Sequence, residues 1–182
     1  MNLSPSEAKL KNGLAVILRS PKVEESELLL RHLRINFSES YRNMNSPADF
    51  FDNFPVEEEQ KILSEFTESK TKFMLSAFHE GAIVGNLGCF GIAGAFHKHN
   101  ARIGMGNQLA FCGIGLGTEL LNRAFGASKE MGFRRLELNV RTFNHAGIAL
   151  YEKHGFERVG LLTKVAFIDG EDYDEFVYQK HL

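Results

Sequence analysis

Along the chain the spacing of apolar positions changes several times, and each change marks an element. Residues 13–18, "GLAVIL", form a short apolar run that predicts a strand. From Val23 the apolar residues Val23, Leu28, Leu29 and Leu33 recur at helical spacing, so 23–37 predicts a helix. "NSPADFFDNFP" carries two prolines and predicts a loop. Residues 56–69 predict a second helix with Ile62, Leu63 and Phe66 on its inner face. Its first turn holds Glu57, Glu58 and Glu59, which suit the positive end of the helix dipole. A solvated helix start is their expected role, ahead of a polyamine site.

The period then shortens. "KFMLSAF" and "AIVGNLGCF" flank "HEG" and predict a hairpin turning at Glu80–Gly81. "AGAFHKHN" reads as a loop and "ARIGMGNQLA" as a strand. After "FCGIGLG" the helical period returns, with Leu116, Leu120, Ala124 and Met131 on one side. "RRLELNV" predicts a strand and "NHAGIALYEKHG" a short helix. "KEMG" and "EKHG" are helix stops, each with a basic residue in the last turn and a glycine beyond. Two strands, "RVGLLTKVAFI" and "YDEFVYQ", close the chain around Asp169–Gly170. The order is β-α-α-β-β-β-α-β-α-β-β, which predicts a mixed, α+β fold: one mostly antiparallel seven-stranded sheet with helices on both faces.

Length and composition narrow the class. The 182 residues fit a single domain, 1–182, and 43% hydrophobic with 24% charged residues is a globular composition. A net charge of −2 offers no electrostatic footprint for nucleic acid. No apolar run approaches the roughly 20 residues of a membrane helix. The N-terminus has no apolar segment leading to a cleavage site, so no signal peptide is expected. Two cysteines, Cys89 and Cys112, are too few for a disulfide framework and fit a reducing, cytoplasmic setting.

The chemistry centres on "FCGIGLGTELL", where Gly113, Gly115 and Gly117 alternate ahead of a helix. Such glycines let backbone N–H groups approach a phosphate at a helix N-terminus. A dinucleotide fingerprint requires G-x-G-x-x-G, but Thr118 stands at the third glycine. Glu137 lies about 20 positions on, as that fingerprint asks, yet it falls mid-strand and too little chain follows. A P-loop is excluded, because no Gly-Lys-Ser/Thr follows.

The stretch from Ala101 through "FCGIGLGTELL", with the later "NVRTFNHAGIALYEKHGFERVG", resembles the GNAT superfamily of acetyl-CoA-dependent N-acetyltransferases. The glycine loop, Asn144 and "LYEKHGF" carry the resemblance, which is close over 72–182. The ending "GF…G…IDG.DYDEFVY" is most similar to the branch with ribosomal-protein, amino-acid and spermidine acetyltransferases. The resemblance implies acetyl-CoA as co-substrate, with no metal, and a primary amine of a small molecule or protein N-terminus as acceptor. It implies a strand that bulges and splays before the loop, with pantetheine bonding to the backbone of Met105, Gly106 and Asn107. It places the pyrophosphate on Cys112, Gly113, Ile114, Gly115, Leu116, Gly117 and Thr118. A homodimer is a further expectation from the family.

By the same resemblance, Tyr151 protonates the leaving sulfur; from its residue type alone it would be a core aromatic beside Ile148. Asn144 matches a cofactor contact and equally suits a helix N-cap. Cys112 stands where the family usually has Arg or Gln, which leaves the phosphates mainly to backbone donors; a nucleophilic thiol at a helix start is the weaker reading. Arg102 occupies the region where some members place a glutamate base. Glu137 is the remaining strand carboxylate, either a base or an outward side chain. His97 and His99 could line the acceptor site or lie solvated in their loop. Two other readings stay open: a non-catalytic acyl-CoA-binding regulatory module and an NAD-dependent oxidoreductase.

Overall fold

The structure is a computed structural model describing residues 1–182. It contains eight strands, one more than predicted. The extra strand, β1 (Ser6–Lys9), pairs antiparallel with β2 (Ala15–Arg19). Asn12–Gly13 closes this hairpin: Gly13 takes φ +90°, and Asn12 Oδ1 accepts from the Leu14 N–H at 3.2 Å. An Asn-Gly pair beside an apolar run is a strong local hairpin signal. The strand itself, "SEAK", is too polar to carry an apolar strand pattern.

The remaining elements follow the predicted order. They are α1 (Ser26–Ser40), α2 (Val56–Glu68), β3 (Lys72–His79), β4 (Ala82–Gly91), β5 (Asn100–Asn107), α3 (Leu116–Glu130), β6 (Arg135–Arg141), α4 (His145–Lys153), β7 (Glu157–Ile168) and β8 (Glu171–His181). Glu80 and Gly81, at φ +49° and +80°, make the β3–β4 turn. Asp169 and Gly170, at +54° and +86°, make the β7–β8 turn. On α2, Leu63 and Phe66 are buried as expected and Ile62 is half-buried. Glu59 departs from the solvated role expected of it. It is buried, and burial pushes its carboxyl up to about 7.

The sheet order is β1-β2-β3-β4-β5-β6-β8-β7. Only β5 and β6 run parallel, and they pair over just three rungs: Asn100–Arg135, Ala101–Leu136 and Arg102–Glu137. Beyond Arg102 the strands part, leaving a V whose vertex lies at residues 100–102 and whose mouth opens toward Asn107. The expected splay is therefore present. The expected bulge is not, since β5 keeps one register against β4 from Gly91–Ala101 to Gly85–Asn107. Helices α3 and α4 pack on one face, where Leu116, Leu120, Leu121, Ala124 and Tyr151 join Leu75, Leu87 and Leu136 in the larger core. The other face carries Leu29 of α1 and Leu63 and Phe66 of α2 against Met74, Phe78 and Ile83.

Candidate active site

The glycine loop sits at the mouth of the V. Gly113 and Gly115 have φ of +75° and +100°, a region that disfavours any side chain. Because of these turns, six successive N–H groups, Gly113 through Thr118, find no acceptor within the protein. Three of them belong to the first turn of α3, where orphan donors and the dipole favour an anion. Gly117 is held against α4: a Cβ there would lie 2.7 Å from Leu150 Cδ2. The loop thus fits a pyrophosphate through backbone donors, as the sequence suggests.

One cation also reaches this loop. Lys11, in the β1–β2 turn, donates its N–H to Ile114 O at 2.9 Å, and its side chain runs past Gly115 with Cγ 3.4 Å from where a Cβ would stand. Lys11 makes no ion pair. Sequence reasoning missed it, since Lys11 and Gly115 meet only once β1–β2 folds against the loop. Cys112 is exposed, and desolvation with the charge of Glu39 pushes its thiol above the ordinary range. That environment is the reverse of an activated nucleophile's.

Behind the loop, Met105, Gly106 and Asn107 line the part of β5 whose outer edge has no partner strand. The Asn36 amide of α1 covers Gly106 and leaves no room there for a Cβ. Asn107 points to the α3 face, and its buried Oδ1 has no hydrogen-bond partner. That orphan acceptor suits a donor supplied from the cleft.

On α4, Asn144 caps the helix, with Oδ1 accepting from the Gly147 N–H at 2.9 Å. Its Nδ2 remains available, so capping and cofactor contact are compatible. Tyr151 is buried edge-on against Phe156, with ring centroids 5.7 Å apart. No protein group accepts from its hydroxyl, and burial pushes the phenol up to about 12.

Glu137 and the histidines lie elsewhere. Glu137 holds the last rung of the vertex, where Arg102 Nη2 donates to Oε1 at 2.7 Å and Arg135 Nη2 to Oε2 at 3.1 Å. Both oxygens are held by arginines at the closed vertex of the V, away from the mouth where the glycine loop lies. His97 and His99 precede β5, at the end of the strand away from the mouth, roughly 20 Å of strand from Met105 at about 3.3 Å per residue. The structure puts them at the opposite end of β5 from the glycine loop.

A sequence profile of the acetyltransferase (GNAT) family matches residues 37–156. The Bacillus subtilis (strain 168) protein YwnH, whose name assigns it provisionally to phosphinothricin acetylation, is 37% identical over 62 residues. That stretch is 34% of this chain and 38% of YwnH, so the likeness spans well under half of either. Among solved structures, a GNAT-family acetyltransferase from Streptococcus pneumoniae superposes with a TM-score of 0.86 at 25% identity, covering 92% of this chain and 99% of that one. A Salmonella typhimurium protein, provisionally named an acetyltransferase and solved with its cofactor acetyl-CoA, superposes at 0.77 with 14% identity, covering 91% and 93%. That likeness speaks for the fold. The chain belongs to the GNAT acetyltransferase family. No helix is long and apolar enough to cross a membrane.

Proposed function

We propose that this protein is an acetyl-CoA-dependent N-acetyltransferase that acetylates a primary amine of a small molecule or a protein N-terminus. The observation that carries the reading is the run of six unpaired N–H groups at the mouth of a parted parallel pair, with Tyr151 on the neighbouring helix. Acetyl-CoA, when bound, supplies a thioester carbonyl that a neutral amine attacks directly. The loop 112–118 holds the pyrophosphate, helped by Lys11, and the free edge of β5 at Met105–Asn107 orients the pantetheine. Asn144 Nδ2 adds a donor while Oδ1 keeps α4 capped.

Tyr151 donates to the leaving sulfur. Its raised pKa keeps the phenol protonated across the neutral range. It is then a weaker acid than a thiol, whose ordinary value is about 8.5. Tyr151 therefore acts first as a hydrogen-bond donor to charge growing on sulfur. Since Glu137 is held by two arginines, water carries the amine's proton away.

A thiol-release assay across a panel of amines tests this. Tyr151→Phe is expected to lower kcat about a hundredfold, with KM for acetyl-CoA little changed. Full turnover by the variant would remove Tyr151 from the role. Acetyl-CoA binding without transfer to any amine would favour a non-catalytic acyl-CoA-binding module, and NAD binding without acetyl-CoA binding would favour an oxidoreductase.

A further inference from the structure

The closed end of the V carries a feature that acetyl transfer does not use. A cavity of about 590 Å³ opens there, lined by His97, His99, Arg134, Arg135, His181 and Phe96. Three chain segments converge on it: the loop before β5, the start of β6 and the end of β8. The backbone holds them together. Arg134 and Arg135 N–H both donate to His99 O, at 2.8 and 3.3 Å, and Asn100 N–H donates to His97 O at 2.8 Å.

The charges in this basin are almost all of one sign. Arg135 is spent on Asn100 Oδ1, Gln179 Oε1 and Glu137 Oε2. The Arg134 guanidinium makes no ion pair or side-chain hydrogen bond, and neither do the rings of His97, His99 and His181. Lys98 adds a further positive charge to the same loop. Among nearby acids, Glu137 is neutralised by Arg102 and Arg135. The carboxylate of Leu182, whose N–H donates to Arg134 O, pairs with none of these bases. Desolvation and the positive charges of Arg134, His97 and Arg135 hold the His99 imidazole below its ordinary range. The cavity therefore presents one unpartnered guanidinium, Arg134, with three unpartnered imidazoles beside it, a set of donors that suits an anion. The residues do not cluster as a metal site.

We propose that this basin is a second anion site, taking a small phosphate-bearing ligand between the β5 loop, β6 and the end of β8. Arg134 supplies a two-pronged contact to the phosphate oxygens, and the histidines become additional donors once protonated. Phe96, 90% exposed at the rim, offers a flat apolar surface beside the charge.

Calorimetry on the full chain with CoA saturating the glycine loop tests the site, because added anions then report on the basin. Inorganic phosphate is expected to bind saturably, and Arg134→Glu to weaken it at least tenfold. Sulfate stays a dianion between pH 6 and 8, so its affinity isolates protein protonation; it is expected to be about tenfold tighter at pH 6 than at pH 8. His99→Gln should flatten that pH dependence in part. A nucleoside monophosphate that binds more tightly than phosphate, and loses the margin in Phe96→Ala, assigns the phosphate to a nucleotide. Equal affinities assign it to the free anion. Absence of saturable binding, unchanged affinity in Arg134→Glu, or equal sulfate affinity at both pH values would overturn the proposal. None of these readouts depends on acetyl transfer.

Discussion

Strand β5 joins two regions that face anions by opposite means. At its C-terminal end the backbone is left unpaired: Gly113 through Thr118 present N–H groups without acceptors, and the Lys11 side chain runs alongside. At its N-terminal end the carbonyls of His97 and His99 are tied up, accepting from Asn100, Arg134 and Arg135, and the charged or titratable donors are side chains. Backbone amides cannot titrate, and they stay where glycine geometry puts them. Side-chain donors move, and histidines among them change charge with pH. The first arrangement suits a co-substrate bound in every cycle. The second suits a ligand whose occupancy follows conditions.

The largest expected effect tests the backbone half of this contrast. Gly115 stands at φ +100°, so Gly115→Val forces a β-branched residue into a region costing about 1–3 kcal/mol. Relieving that strain re-aims the N–H groups on either side. Acetyl-CoA affinity, measured by calorimetry, should fall tenfold or more while the chain keeps its fold by circular dichroism. Unchanged affinity would mean that the amides do not hold the phosphates. A smaller effect tests the Lys11 side chain. Lys11→Ala removes one charge beside the loop and should weaken acetyl-CoA about three- to fivefold, with the loss shrinking as salt rises. A loss as great as that of Gly115→Val would move the loop toward the side-chain class and blur the distinction.

The two ends were unequally legible in the sequence. The loop could be read because its signal is local: alternating glycines, then a helical period, then "LYEKHGF" at a fixed interval. The parted β5–β6 pair came only through family resemblance, because no single segment encodes it. Lys11 was invisible because it meets Gly115 across roughly a hundred residues, although the Asn12–Gly13 turn that brings it there was a usable cue. The pairing of Glu137 with Arg102 depends on strand register, so a candidate base and an unexplained arginine could not be recognised as partners. His97 and His99 could be read from sequence as solvated loop residues or as neighbours of the acceptor, because they precede the cofactor strand. The strand's own length carries them to its far end. Glu59 misled for a similar reason: a first-turn glutamate is usually solvated, and only the packing of α2 shows this one buried.

The smallest expected effect is an absence, and it sharpens the contrast most. If unpaired amides carry the pyrophosphate, acetyl-CoA affinity should vary by no more than about threefold between pH 6 and 8, since amide N–H groups have no proton to gain or lose in that window. Cys112 does not disturb this, because its thiol is held above its ordinary range and stays protonated. Tyr151 does not either, since its phenol lies far above the window at about 12. The measurement is direct calorimetric binding of the dephospho form of acetyl-CoA, which lacks the phosphomonoester that titrates near pH ~6 and keeps the acceptor amine's own titration out of the result. Over the same interval sulfate at the far end should change about tenfold. A tenfold change at the loop as well would mean that a titrating side chain shares the phosphates, and the two ends of β5 would then differ in position but not in kind.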